Sequence, residues 1–190
     1  MPLTRNTHGA AETVPDPDMP MQAVTDLGIA RQLVDAVPDP EMPILTLADL
    51  GIVRDIEIEA DSRVVVTITP TYSGCPAIAT MRADITRSLH QRGYRDVRVD
   101  TALSPPWSTD WISAEGRRKL RDNGYSLPGP APRRAAGPVP LTLTARPRAL
   151  TCPHCGSRET RLVSEFGATL CKAHYRCAVC LEPFDHVKEI

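Results

Sequence analysis

Between Thr25 and Pro38 apolar residues recur at Leu27, Ile29 or Ala30, Leu33, Val34 and Val37, the stripe of an amphipathic helix with Thr25 as its expected N-cap. Asp39-Pro-Glu-Met-Pro43 cannot continue it, because two prolines fix the backbone and push the residues before them into extended conformations. Leu47-Ala-Asp-Leu50 reads as a single turn closed by Gly51. Ile52 to Glu59 then alternates as a strand with Val53, Ile56 and Ile58 inward, Asp61-Ser62 reverses the chain, and Arg63 to Thr69 forms the second arm of a hairpin. Ser73-Gly74 stop that strand, and Pro76 opens a second helix with Ile78, Met81, Ile85 and Leu89 on one face and Gly93 as its stop. A third strand runs from Val97 to Leu103. The order helix, strand, strand, helix, strand predicts an α+β class, a small α-β-β-α-β sandwich of one sheet against two helices. Its expected core is Leu33, Ile52, Ile56, Val64, Val66, Ile68, Ile78, Met81, Ile85, Leu89, Val97 and Val99.

Beyond the third strand the pattern weakens. Pro105-Pro-Trp107-Ser-Thr-Asp-Trp111 precedes a short helix from Ser113 to Asp122, and holds both tryptophans of the chain. Trp107 and Trp111 therefore belong either to a strap packed on the sheet or to a docking surface, the strap being the commoner fate of so large an apolar ring. Leu127 to Ala149 carries prolines at 128, 130, 132, 138, 140 and 147, two glycines and four arginines, a composition that reads as an extended, semi-rigid linker. The expected organisation is a flexible arm over 1–22, the α+β domain with its strap over 23–126, the linker over 127–149 and a C-terminal module over 150–190. Val14-Pro-Asp-Pro-Asp-Met-Pro20 in the arm echoes Val37-Pro-Asp-Pro-Glu-Met-Pro43; two copies are too few for a solenoid and carry no assigned function.

Composition narrows the functional classes. The 190 residues are 42% hydrophobic with a formal net charge of −1, so the whole molecule carries no electrostatic signature for nucleic acid or anionic lipid. No run is long and apolar enough for a membrane helix, and Arg5, His8 and Glu12 interrupt any secretion-signal core, so the expected location is cytoplasmic. Six cysteines in that compartment point to metal ligands or reactive thiols rather than disulfides.

Two groups of residues carry chemistry. Cys152-Pro-His-Cys155 and Cys177-Ala-Val-Cys180 are paired C-x-x-C knuckles, the spacing that supplies four thiolates to a tetrahedral ion. About 40 residues cannot build a core alone, so a structural zinc would supply much of the module's folding free energy, with an iron-sulfur cluster as the alternative occupant. Cys171 lies in the interval, on the same strand face as Ala173 and Tyr175. It is a buried apolar residue, a substitute ligand or a functional thiol; His154, His174 and His186 are further donors nearby. In the first domain Cys75 sits on the strand-to-helix turn before Pro76, beside the positive end of a helix, where thiolate is favoured over thiol. The competing reading is a small buried residue at a tight turn. Asp39 and Glu41 on the stiff proline loop would complete a weak mixed sulfur and oxygen site for transient iron, or else cap local amides.

The runs Val37-Pro-Asp-Pro-Glu-Met-Pro43, Asp49-Leu-Gly-Ile-Val-Arg54 and Thr67-Ile-Thr-Pro-Thr-Tyr-Ser-Gly-Cys-Pro-Ala77 resemble the metal-sulfur cluster assembly domain of iron-sulfur targeting factors. Pro106-Trp107-Ser-Thr-Asp-Trp111-Ile-Ser-Ala-Glu-Gly116, Phe166-Gly-Ala-Thr-Leu-Cys171-Lys-Ala and Glu182-Pro-Phe184 look like the PaaD family of bacterial phenylacetyl-CoA epoxidase components. That resemblance covers about residues 26 to 127 and 150 to 190. It implies an accessory, non-catalytic part in aerobic phenylacetate catabolism: assisting insertion of iron or an iron-sulfur cluster into another subunit, or serving as a scaffold. The chain lacks the Glu-x-x-His helices of a di-iron oxygenase and the Gly-rich fingerprint of its reductase. Implied partners are the other epoxidase subunits or the reductase, iron-sulfur assembly proteins, and a second copy in a homodimer.

Overall fold

The computed structural model describes residues 21–132 and 150–190, with the backbone alone over 21–25. The arm with its echoed segment and most of the linker lie outside the described residues. The class is α+β. Helix α1 spans Met21–Asp35, the single turn α2 Leu47–Leu50, strand β1 Val53–Ile58, β2 Val64–Ile68, helix α3 Ala77–Arg92, β3 Val97–Thr101 and helix α4 Ala114–Asp122. The C-terminal module adds β4 (Thr160–Ser164), β5 (Lys172–Cys177) and β6 (Pro183–Val187).

The first sheet has the order β1-β2-β3, with β1 antiparallel and β3 parallel to β2. The parallel pair needs a crossover, and α3 provides it, with Ala77, Met81, Ile85 and Leu89 buried. Those four are spaced by four residues, so Ala77 takes the inward place expected of Ile78, which is half-buried. Ser62 turns the hairpin with φ 68. Gly93 ends α3 in the left-handed region, as its position predicts.

Three expectations change. Helix α1 begins at Met21, four residues before Thr25, which is therefore inside the helix rather than its cap. Leu33, Ile78 and Val97 are half-buried, while the other nine expected core residues are buried. The core is also larger than alternation suggests, because Met42, Leu45, Leu47, Leu50, Trp107, Ile112, Leu120 and Val187 enter it from loops, strap and C-terminal module.

The strap is held by specific bonds. The Trp107 indole N–H donates to the Leu50 carbonyl at 2.8 Å, and the ring is buried in the main core. Trp111 is half-buried with the Arg54 guanidinium 4.1 Å from its ring centroid. Gly51 is left-handed at φ +65, and a Cβ there would lie 2.7 Å from the Trp111 carbonyl oxygen, so only glycine lets strap and turn meet. Helix α4 approaches α2 as closely: a Cβ on Gly116 would lie 2.7 Å from the Asp49 carbonyl oxygen.

The C-terminal sheet, of order β4-β5-β6, packs against the first domain. Ser126 forms a parallel bridge with His186, the Ser126 amide donates to the Asp185 carbonyl, and the Val187 amide donates to the Ser126 carbonyl. The Thr109 amide donates to the Ile190 carbonyl at 3.1 Å. Residues 127–132 run along the same seam, where the Gly129 amide donates to Glu189 Oε1 at 3.0 Å and Arg117 Nη1 to the Pro128 carbonyl at 3.2 Å.

Candidate functional site

The proline loop is a closed structure. The Asp39 amide donates to the Leu45 carbonyl at 2.9 Å, the Leu47 amide to the Val37 carbonyl at 2.9 Å, and buried Met42 and Leu45 anchor its inner side. Asp39 is buried and its Oδ1 accepts from the Glu41 and Met42 amides at 2.9 and 2.6 Å. That carboxylate oxygen is therefore engaged in capping local amides. Burial pushes the Asp39 carboxyl above its ordinary value against the opposing pull of those amides and of Lys172. Glu41 is half-buried and also raised, by burial and then by Asp39, with Lys172 pulling the other way.

Cys75 follows Gly74, whose φ of +93 ends the strand-to-helix loop. Its amide donates to the Tyr72 carbonyl at 3.2 Å, and the Ala77 amide and the Tyr72 side chain are near enough to its sulfur to favour the thiolate. The helix-end position is as read from the sequence, but its electrostatic consequence is reversed. Burial, with 5% of the residue exposed, pushes the Cys75 thiol up, and Glu41 and Asp39 add to the rise; the Ala77 amide and Tyr72 do not offset it. Tyr72 itself is pushed up to about 12 by burial and by the neighbouring Cys75, Glu41 and Cys171. Within this same loop Thr69 is buried, and its Oγ1 has no hydrogen-bond partner.

The approach of Cys171 was not legible in the sequence. Its sulfur lies 3.9 Å from Glu41 Oε2, 130 residues earlier in the chain, and 3.0 Å from Thr169 Oγ1. The expected alternation holds, with Cys171, Ala173, Tyr175 and Cys177 all buried. Lys172, on the opposite parity, is buried as well, close enough to influence both Asp39 and Glu41. The acidic loop thus meets the residue that precedes β5, while among the described residues the four ribbon cysteines alone bring three or more donor atoms within 4.8 Å of one another.

The second centre lies at the far end of β5. The Sγ atoms of Cys152, Cys155, Cys177 and Cys180 all fall within 4.8 Å of one another. Cys152 Sγ is 3.7 Å from Cys180 Sγ, and Cys155 Sγ is 3.6 Å from Cys177 Sγ. Four thiolates bonded at about 2.3 Å to one tetrahedral ion would sit about 3.8 Å apart, so the donor set fits a single ion. Amides of Cys180 and Val179 point at Cys177 Sγ from 3.5 and 3.4 Å and, against the cost of burial, bring its thiol down to about 6. Cys171 is six residues from Cys177 along an extended strand, about 20 Å, and cannot join this cluster. The histidines stay outside it: His174 Nδ1 is 3.0 Å from Asp185 Oδ1, His186 Nδ1 is 3.3 Å from Ser126 Oγ, and His154 packs over Gly124.

A thiol-bearing α+β domain stapled to a four-cysteine ribbon defines a class, and comparison with known proteins agrees on both halves. The family model described as iron-sulfur cluster assembly protein matches residues 31–101, and that described as PaaD zinc beta ribbon domain matches residues 136–188. A 175-residue stretch is 41% identical to an Escherichia coli K12 protein named as the D component of a "Putative 1,2-phenylacetyl-CoA epoxidase", covering 92% of this chain and 86% of the relative. The chain belongs to that PaaD family of epoxidase subunits. It is also 33% identical over 67 residues to the Porphyromonas gingivalis W83 "Fe-S protein maturation auxiliary factor", a match covering 35% of this chain and 64% of the relative. Among solved structures, a domain of unknown function DUF59 from Bacillus anthracis is similar at 25% identity and TM-score 0.49, over 53% of this chain and 95% of the other.

Proposed function

We propose that this protein is an accessory, non-catalytic subunit of a phenylacetyl-CoA epoxidase system that passes iron or an iron-sulfur cluster to another subunit of that system or its reductase, in the cytoplasm. The observation that carries the proposal is the match of residues 31–101, which hold Asp39, Glu41 and Cys75, to the iron-sulfur cluster assembly family model. One sulfur beside carboxylates is a sparse ligand set, suited to holding ferrous iron briefly rather than keeping it. The match to a maturation factor of iron-sulfur proteins supports the same reading.

The ribbon centre is proposed to hold zinc. All four sulfurs lie within 4.8 Å of one another, which suits one ion, whereas a cluster would divide the thiolates between two irons or give each its own. Four protein thiolates leave no open position, so the ion's work is structural. When bound, it would fix both knuckles and with them the strand that ends in Cys177.

A scaffold role is the second reading, favoured by the exposed Leu162, Val163, Phe166, Leu170, Val179 and Leu181, all in the ribbon module. Purified epoxidase components from cells carrying Cys75→Ala separate the two. Delivery expects partner subunits that assemble but are short of iron; full metal loading would overturn it. A scaffold expects normal loading with Cys75→Ala and failed assembly when Phe166 and Leu170 are made polar.

A further inference from the structure

We propose that the free edge of β3 is a homodimer interface, where two copies of this chain pair their β3 strands antiparallel about Val99 and join their sheets into one. The inference stands apart from the delivery reading above.

The edge is open and regular. The Val64 amide donates to the Asp96 carbonyl and the Ala102 amide to the Ile68 carbonyl, both at 2.9 Å. Backbone groups of successive strand residues point to opposite edges. Asp96, Arg98, Asp100 and Ala102 therefore face β2, while Val97, Val99 and Thr101 turn their amides and carbonyls away from it. No strand among the described residues lies on that side, and no turn or loop bond among them engages the backbone of these three. The β3 register runs through all 5 residues without a slip, whereas β1, at the opposite edge, is interrupted between Val53 and Asp55. Irregularity of that kind is one way an edge strand avoids pairing, and β3 lacks it.

The occupant follows from the charges. Arg98 and Asp100 share the sheet face opposite to buried Val99, with Arg98 Nε 3.0 Å from Asp100 Oδ2. One antiparallel register overlaps Val97–Thr101 with itself in full: Val99 faces Val99 of the second copy, Val97 faces Thr101, and Arg98 faces Asp100. The residues with outward backbone groups then meet as hydrogen-bonded pairs, and Arg98 and Asp100 meet at the closer, non-hydrogen-bonded positions. Each arginine thus lies between its own aspartate and that of the second copy, and the two-fold axis repeats the contact. A slip that centres the pair on Arg98 or on Asp100 would set like charges opposite one another, so the side chains that favour this register exclude its neighbours. A groove of about 770 Å3 between α3 and β3, lined by Ala83, Thr86, Val97 and Val99 among others, leaves room beside the edge. Arg82 and His90 line it too, which makes an acidic segment of another protein the competing occupant.

The test uses the full zinc-loaded chain. Sedimentation equilibrium across the micromolar range should give twice the monomer mass, and amide exchange read by NMR should show Val99 protected at high concentration and unprotected on dilution. Arg98→Asp and Asp100→Arg should each weaken the dimer about ten-fold or more, because the axis applies every reversal twice. Mixed in equal amounts, the two variants should form a dimer again, since an all-acidic strand then faces an all-basic one; native mass spectrometry reads the mixed composition. Both side chains are about half exposed, so neither reversal disturbs the core. A monomeric wild type, or a dimer indifferent to both reversals, would overturn the proposal. If the wild type is monomeric and an epoxidase component binds it but not Arg82→Glu, the edge serves another protein and the homodimer falls. The exchange measurement needs no mutation, so a variant that misfolds leaves the test intact.

Discussion

The ion pair between Asp49 and Lys119 fastens α4 to the turn that follows the acidic loop, and its removal should show how much that fastening contributes. Asp49 is enclosed: its Oδ2 accepts from Lys119 Nζ at 2.7 Å and the Thr46 amide at 2.9 Å, and its Oδ1 from Ser113 Oγ at 3.4 Å. Its side chain is 7% exposed and that of Lys119 29%. A hydrogen bond to a charged group contributes about 1.5–3 kcal/mol, and the partly wet lysine keeps the value near the middle of that range. Lys119→Met keeps the aliphatic stem and deletes the charge, so it should cost about 2 kcal/mol, a fall in Tm of about 4–8 °C for a chain of this size. The pH profile separates charge from packing. Burial pushes the Asp49 carboxyl up, but the Lys119 ammonium and the Thr46 amide outweigh it and hold the group below its ordinary value. A depressed carboxyl contributes stability that is present above its unfolded pKa and lost as pH falls through the folded one. The difference between Lys119→Met and wild type in urea should therefore be full at pH 6 and shrink at an acidic pH below the depressed folded value of Asp49, where the wild-type carboxylate is neutralised as well. A deficit that is the same at both pH values would refute the ion-pair argument and assign the effect to packing of the stem.

Trp107→Phe retains most of the buried ring and removes the indole donor to the Leu50 carbonyl; it should cost about 1–3 kcal/mol in urea unfolding, against about 3–5 kcal/mol for Trp107→Ala. Gly116→Ala forces a Cβ toward the Asp49 carbonyl and should destabilise by about 1–3 kcal/mol by the same measurement, whereas a neutral result would mean that α4 slides freely. Chelation of the ribbon metal should abolish ordered amide-exchange protection in β4 and β5; retained protection would show that the module folds without it. Because burial raises the Cys75 thiol, its alkylation in the metal-free site should climb with pH through a midpoint above that of an ordinary cysteine, and a midpoint below it would reinstate helix-end activation.

Local pattern alone determined most of the elements here. The four-residue spacing ending in Leu89 and Gly93, the alternation of Val64, Val66 and Ile68, and the paired C-x-x-C knuckles each encode their structure within a few residues, because helix period, strand period and metal-ligand spacing are short-range constraints. Tertiary structure decided what those elements meet. The inward role of Leu120 and Val187, the contact of Cys171 with Glu41 and the burial of Lys172 depend on surfaces brought together from more than 60 residues away, which no local period reports. The charge state of Cys75 shows the division most clearly: sequence places its sulfur at a helix start, but whether dipole or desolvation prevails depends on how much protein covers it, and here the cover wins.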